Sequence, residues 1–160
     1  MAINTSSVLG VALNRSSTVQ EVPLGTIIDT SDGGRAVYCI ASGAVSQYAL
    51  CGINEDFDIY MMTTALVVQS DRLGLPQVAI AAGSYGWAFL NGSNIKVRTK
   101  ASATADTQLW TTASAGVVDD ATAASALKID GLVLVAAAGT AATGAAGIEV
   151  KAAWPHVRES

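Results

Sequence analysis

Hydrophobic and polar residues alternate most clearly between Gly83 and Lys100, in the stretch GSYGWAFLNGSNIKVRTK. Its aromatic residues occupy every second position and therefore share one face of an extended chain: Tyr85, Trp87 and Phe89. The dipeptide Asn91-Gly92 follows, and both residues tolerate the positive φ angles of a tight turn. Apolar and basic residues then alternate to the end of the stretch. The pattern predicts one β-hairpin, with an apolar face on a core and a basic face toward water or a partner.

The same criteria predict several further strands, most of them bounded by turns rich in glycine, serine or asparagine. Before the hairpin they cover Thr26–Thr30, Arg35–Ala41, Ala44–Ile53, Ile59–Gln69 and Gln77–Ala82, and after it Gln108–Ala113, Lys128–Ala138 and Ile148–Pro155. We expect Trp110 to point inward and a β-bulge to lie at Gly131. Ser70–Pro76 is expected to be a loop, and Ala121–Leu127 has the composition of a short helix.

Many short strands with almost no helix are typical of an all-β fold, and we predict a β-sandwich or barrel-like single domain. This domain is expected to cover residues 21–160. Residues 1–20 are rich in serine, threonine and asparagine, and they contain one small apolar cluster between Val8 and Leu13. They are predicted to form an extended N-terminal arm that becomes ordered on a neighbouring molecule.

Charge is scarce in this chain. Of its 160 residues, 14% are charged and 51% are hydrophobic, whereas charged residues make up about a quarter of a typical soluble domain. A small soluble monomer relies on surface charge to stay apart from its neighbours. A surface of alanine, glycine, serine and threonine is better suited to being covered by other subunits. We therefore expect an oligomer or a component of a larger assembly.

The net charge of −4 argues against a nucleic-acid-binding protein, which needs a basic surface. Lys96, Arg98 and Lys100 form one basic cluster, which we interpret as the solvated edge of a strand. No apolar run approaches the roughly 18 residues that span a bilayer. Met1–Gly10 lacks the basic region of a secretory signal. We expect no nucleic-acid partner, no membrane partner, and synthesis in the cytoplasm.

Side chains that carry chemistry are few. His156 is the one histidine, and its place beside the C-terminus is a poor position for catalysis. Cys39 and Cys51 lie in apolar runs, so we expect two buried free thiols rather than zinc ligands. The sequence has no phosphate-binding loop and no nucleophile motif. We therefore predict no catalytic residue, no cofactor and no enzyme activity.

Two binding possibilities have a simpler structural explanation. The carboxylates of Glu55–Asp58 could bind calcium, but acidic loops are usually only solvated, and we predict no metal site. Four aromatic residues would form a carbohydrate platform if they were exposed: Tyr85, Trp87, Phe89 and Trp110. At strand spacing such residues more often belong to a core.

The segment from Gln77 to Ala138 resembles the head decoration (cement) proteins of tailed bacteriophages. The similar features are the aromatic stretch GSYGWAFLNG, the turn TTASAGVVDD and the strand GLVLVAA. The resemblance implies a non-enzymatic, β-rich virion protein that is assembled in the host cytoplasm. Such a protein binds the major capsid protein on the outer surface of the expanded head, often as a trimer. It stabilises the head through contacts between subunits.

The arm and the hairpin are the segments that we expect to make these contacts. The candidate contact residues are Val8, Leu9, Val11, Leu13, Tyr85, Trp87 and Phe89. A tail, baseplate or fibre component of a phage needs the same β-rich chain of low charge, and it remains an alternative. A carbohydrate-binding β-module is a second alternative, which requires exposed aromatic residues.

Overall fold

Residues 10–69, 72–139 and 146–158 are described by the computed structural model of the protein. These residues form ten β-strands and one 3₁₀-helix (Thr64–Gln69). In chain order the strands are β1 (Ile27–Asp29), β2 (Arg35–Ala41), β3 (Cys51–Ile53), β4 (Asp58–Met61), β5 (Arg72–Pro76), β6 (Tyr85–Thr99), β7 (Leu109–Thr111), β8 (Val117–Asp119), β9 (Lys128–Leu134) and β10 (Ile148–Arg158).

Five of these strands close into a barrel. β2 pairs with both β4 and β6, and the pairs β4–β3, β3–β5 and β5–β6 complete the circuit. Four further strands form a second closed circuit with β6. In this circuit β6 pairs with β10 and with β8, and the pairs β10–β9, β9–β7 and β7–β8 complete it. β1 adds to the first barrel by pairing with β2. The prediction of an all-β, barrel-like single domain is confirmed.

β6 belongs to both circuits, and it replaces the predicted hairpin. Its first half pairs with β2 up to Asn91, and its second half pairs with β10 from Asn91 to Val97. Gly92 and Asn94 do have positive φ, at 136° and 57°. Those angles bend the strand without reversing it, because β2 and β10 supply partners on both sides of the bend. The hairpin prediction is therefore wrong, although the residues that motivated it do adopt unusual backbone angles.

Two hydrophobic cores follow from this arrangement. The inner core fills the first barrel with small or branched side chains: Val37, Cys39, Ala41, Val45, Ala49, Cys51, Ile53, Ile59, Ile80, Ala88 and Leu90. The larger core continues from the outside of that barrel into the second circuit. Trp87 and Phe89 of β6 lie in it, as do Ile95 and Val97 further along the same strand. One face of β6 therefore links the two circuits through a shared core.

Several strand predictions agree with the structure. β2 has the predicted bounds, and β1, β7 and β9 lie within segments that were predicted to be strands. β10 begins at Ile148 as predicted but continues past the predicted end at Pro155 to Arg158. The bulge is also confirmed, because Gly131 of β9 lies opposite a three-residue irregularity between Ala152 and His156 of β10. Trp110 lies at an intermediate depth and is not a member of either core.

Three other predictions are wrong for identifiable reasons. Ile59–Gln69 is not one strand, because β4 ends at Met61 and a 3₁₀-helix follows. The described part of the predicted loop Ser70–Pro76 is strand β5 (Arg72–Pro76), because Gly74 lets it pack closely against Ile53 and Ala88. Ala44–Ile53 is strand only from Cys51, since Tyr48 has a φ of 62°.

Gln77–Ala82 and Ala121–Leu127 also differ from prediction. The first segment forms no strand: Ile80 makes an isolated bridge with Val45, and the Gln77 side chain bonds to both backbone groups of Lys96, at 2.8 and 3.0 Å. The second segment is irregular rather than helical, with a φ of 66° at Ser125.

Candidate binding surfaces

The structure places three of the seven predicted contact residues inside the domain itself. Leu13, Trp87 and Phe89 are at most 2% exposed and belong to the larger core. A second subunit cannot reach these side chains in this arrangement. We therefore correct the prediction: these three residues pack inside the domain and are not exposed for contact. Val11 and Tyr85 are partly buried against the same core and keep some exposed surface. Val8 and Leu9 lie outside the described residues.

Residues 10–20 of the predicted arm pack on the domain. The backbones of Ser17 and Tyr85 exchange two hydrogen bonds, at 3.0 and 2.8 Å, which adds a bridge at the start of β6. Leu13, which is close to Ser17 in sequence, packs in the larger core. The sequence does not predict that this segment packs on the domain, because a single leucine among serines and asparagines has no recognisable period.

Among the described residues, five large hydrophobic side chains are exposed: Val19, Ile27, Val133, Val135 and Trp154. Two of them lie side by side on the outer surface of the second circuit, where Val133 is 41% and Val135 is 42% exposed. Val133 is paired with Lys151, and the backbone nitrogen of Val135 donates to the oxygen of Glu149 at 2.9 Å. We call these four residues the β9–β10 outer face. It combines two exposed valines with one charge of each sign.

Trp154 is displayed at the bulge of β10. Its φ is 52°, an unusual value for a bulky residue, and its side chain is 48% exposed. The guanidinium carbon of Arg35 lies 5.9 Å from the centroid of the indole. Arg35 is in turn held by Asp29, whose Oδ1 accepts a hydrogen bond from its Nε at 3.0 Å. The sequence pattern does not predict an exposed Trp154, because the bulge that turns it outward depends on pairing with another strand.

The basic cluster of β6 is engaged within the domain. The Nζ of Lys96 lies 5.6 Å from the ring centroid of Tyr48, and Lys100 forms a long ion pair of 3.9 Å with Asp119. Arg98 lies between them, and its Nε is buried without a hydrogen-bond partner. Two of the three cations thus have an aromatic or acidic partner within the domain, and the third has a buried Nε.

Both cysteines are free and buried in the inner core. Burial raises the pKa of the Cys39 thiol to about 12, while nearby Arg72 opposes the shift and Asp58 adds to it. Burial also raises the pKa of Cys51 well above its ordinary value, and the neighbouring Cys39 adds to that shift. These thiols are neutral over the physiological pH range, which makes them poor nucleophiles and poor metal ligands.

The acidic loop between β3 and β4 has a structural role. The Oδ1 of Asn54 accepts hydrogen bonds from the backbone nitrogens of Asp56 and Asp58, at 3.1 and 2.9 Å. This arrangement is an Asx turn, which accounts for the polar residues without a cation. No group of three histidine, cysteine or carboxylate side chains comes together within the described ranges.

One cleft among the described residues is lined by uncharged side chains. It has a volume of about 590 Å³ and lies between residues 63–65, 111–113 and 123–127. The hydroxyls of Thr64 and Thr111 are 3.0 Å apart, and that of Thr112 donates to the oxygen of Val117 at 2.8 Å. The side chains that line this cleft include no histidine, cysteine, lysine or carboxylate.

No helix within the described ranges has the length and apolar character needed to cross a membrane. Comparisons of the chain with protein-family models, with curated proteins and with solved structures found no match.

Proposed function

We propose that this chain is a structural virion protein, a capsid decoration protein that binds the major capsid protein on the outer surface of the expanded phage head. In this role it acts as a homo-oligomer, with the trimer as the form that the family resemblance favours. It is assembled in the host cytoplasm and catalyses no reaction. Nucleic acid and membranes are not among its partners.

The observation that carries this proposal is the β9–β10 outer face. Its exposed valines, Val133 and Val135, belong to the strand GLVLVAA, which is part of the resemblance to decoration proteins. Exposed β-branched residues on the surface of a rigid sheet are suited to a protein interface, because their burial needs little further ordering of side chains. The low charge of the chain supports the same reading, since burial then removes few ions from water.

The contact surface that we propose differs from the one expected from sequence. It is centred on Val133 and Val135, and it retains Val11 and Tyr85, which are partly exposed. Trp87 and Phe89 instead stabilise the domain from within its larger core.

The mechanism is physical. A protein that binds the expanded lattice, and not its precursor, shifts the equilibrium toward the expanded form by mass action. Many copies on one shell multiply a modest contact energy, because each bound oligomer holds its subunits near further sites. Rigid closed circuits of strands support this role, since little conformational entropy is lost when they dock.

The first test is the copy number of this chain relative to the major shell protein, in particles purified from its source. Hundreds of copies per particle support a decoration protein. A handful of copies would instead favour a tail, baseplate or fibre component. Absence from the particles would overturn both virion roles.

A second test locates the surface. The double variant Val133→Lys, Val135→Lys should lower occupancy on shells by at least about tenfold, because two charges would be buried in the contact. The matched control is Val19→Lys, which adds charge at another exposed valine of the chain. Equal occupancy of all variants would show that the β9–β10 outer face is not the contact.

A further inference from the structure

The backbone of β10 is arranged so that one indole faces the solvent. Residues 153–155 of β10 lie opposite Gly131 alone, which forces the strand to bulge. His156 Nδ1 donates to the carbonyl oxygen of Trp154 at 3.2 Å and supports the bulge on its C-terminal side. Ala153 and Trp154 are both exposed while Ala152 and Pro155 are buried, so the bulge interrupts the alternation of the strand and turns Trp154 outward. The strained tryptophan is therefore held outward by the fold itself.

The guanidinium of Arg35 stands over the ring of this indole, and Asp29 is its ion-pair partner. Arg35 and Asp29 are directly paired across β2 and β1, and their ion pair uses only Nε and Oδ1. The terminal nitrogens of Arg35 and the Oδ2 of Asp29 take no part in that contact. Their side chains are 52% and 67% exposed. Donors and an acceptor that this contact does not use thus lie near an exposed aromatic ring, and two paired strands fix their positions.

These three groups define the chemistry of a ligand. An indole offers a flat apolar face, which attracts the C–H groups of a saturated ring. A guanidinium donates hydrogen bonds and a carboxylate accepts them, so together they suit hydroxyl groups, which do both. The charges of Arg35 and Asp29 cancel, so neither an anion nor a cation is favoured. We propose that Trp154, Arg35 and Asp29 form a binding site for a neutral sugar ring.

The size of this surface favours a sugar over a protein partner. A specific protein interface buries roughly 800 Å² on each side and has an apolar centre. Here the aromatic ring is flanked by charged side chains, and the nearest exposed large hydrophobic residue on β1 is Ile27. One indole and one ion pair match the area and the polarity of a single pyranose ring.

The test is a titration of the full chain with neutral saccharides, followed by the indole N–H signals in NMR spectra. The probes are the methyl glycosides of glucose, galactose, mannose and N-acetylglucosamine, together with cello-, malto- and chito-oligosaccharides. We expect at least one of them to shift the signal of Trp154 and to leave that of buried Trp87 in place.

Variants identify the groups involved. Trp154→Gly should weaken binding at least tenfold and should fold normally, because glycine accepts the positive φ at this position. Asp29→Asn and Arg35→Gln should each weaken binding several-fold, whereas Trp110→Phe, a change outside the site, should have no effect. Glucuronate, the charged counterpart of glucose, should bind more weakly than the neutral sugar.

The site is independent of the proposed virion role. If no saccharide shifts the Trp154 signal, or if binding survives Trp154→Gly, the sugar site is overturned. It is also overturned if sugars fail to bind while Trp154→Gly lowers the occupancy of shells, since the surface would then be a protein contact. Sugar binding by a chain that is absent from particles would remove the virion role and leave the site standing.

Discussion

Gly131 and Ala153 approach each other so closely across β9 and β10 that a side chain at the glycine would collide with the backbone. A Cβ at position 131 would lie 2.5 Å from the carbonyl oxygen of Ala153 and 3.3 Å from that of Trp154. Gly131 also has a φ of 77°, which L-residues with side chains rarely adopt. This glycine therefore permits the bulge that displays Trp154.

Replacement of this glycine should destabilise the domain through two separable effects. We expect Gly131→Ala to lower the free energy of unfolding by about 2–5 kcal/mol, as left-handed strain and the collision with Ala153 add together. Urea titration followed by far-UV circular dichroism measures the change. Gly33→Ala is the matched control, because Gly33 has a φ of 76° with open space around it.

The control should lower the free energy of unfolding by only about 1–2 kcal/mol, since it adds the left-handed backbone strain without a collision. Equal losses for the two variants would show that the close approach across β9 and β10 does not matter. A normal stability for Gly131→Ala would show that the bulge rearranges easily.

Sequence patterns predicted the fold class because alternation reports on local burial. The bounds of β2 follow from such a pattern, and so does the burial of Trp87 and Phe89 in a core. The course of β6 could not be predicted, because Asn91-Gly92 is equally suited to a turn and to a bend. Which one forms depends on β10, which lies far away in sequence. Local propensity allowed either a turn or a bend at this dipeptide, and pairing with a distant strand determined which one formed.

The candidate surfaces were harder to predict than the fold. Trp154 is exposed because Gly131 and Ala153 cannot pair regularly, a constraint between two strands that no single segment shows. Arg35 and Asp29 come together across a tight β1–β2 connection, where the sequence indicates a turn and not a binding role. The stretch with the clearest alternation of aromatic residues became β6, in which Trp87 and Phe89 are buried in the larger core.

Leu13 tests how far the N-terminal segment is part of the folded domain. We expect Leu13→Ala to lower the free energy of unfolding by about 2–5 kcal/mol, because its side chain is fully buried. Val19→Ala is the control, since Val19 is among the exposed residues of the same segment and should change stability by less than about 0.5 kcal/mol. Thermal and urea unfolding measure both variants.

A loss below that range for Leu13→Ala would contradict the packing of this segment on the larger core. The result also bears on any truncation of residues 1–20, since such a deletion would remove a core side chain along with the predicted arm. Loss of shell binding by that truncated chain would therefore need a stability measurement beside it.

Asp120 should contribute to the acid sensitivity of the domain. Hydrogen bonds from the hydroxyl and the backbone nitrogen of Thr104, at 2.7 and 2.9 Å, hold the pKa of the Asp120 carboxyl below its ordinary value. A lowered pKa stabilises the folded state above the unfolded pKa of about 3.9. That stability is lost as the pH falls through the folded pKa.

Thr104→Val removes the hydroxyl donor and keeps the shape of the side chain. We expect it to lower the free energy of unfolding at pH 7 by less than about 1 kcal/mol, since the pair is exposed to solvent. The loss should shrink as the pH approaches 3. Thr18→Val, at an exposed threonine without such a partner, should show no pH-dependent difference from the parent chain. A constant loss at all pH values would exclude the carboxylate as the cause.

Cys39 and Cys51 should make the domain sensitive to alkali. Because burial raises the pKa of the Cys39 thiol to about 12, the folded state holds its proton more tightly than the unfolded state does. The stability that this gives is fully present below the unfolded pKa of about 8.5. It is lost as the pH rises from there toward the folded pKa, and the raised pKa of Cys51 acts in the same direction.

We expect the native chain to be almost unreactive toward a disulfide reagent such as DTNB at pH 8, and to release two thiols once it is unfolded. Urea titrations from pH 7 to pH 11 should show a falling free energy of unfolding, with a shallower fall in Cys39→Ala. Tyr48 has a pKa raised by burial and contributes to the fall in both proteins, so the difference between them reports on the thiol.

Val45→Ala is the control for that comparison, because it removes apolar volume from the same inner core and leaves both thiols in place. It should lower stability at every pH by a similar amount and keep the full alkaline slope. If the Cys39→Ala slope equals that of the parent chain, the alkaline loss comes from other groups. If DTNB reacts quickly with the native chain, the first barrel opens far more often than its closed circuit of strands implies, since the thiols can be reached only through such opening.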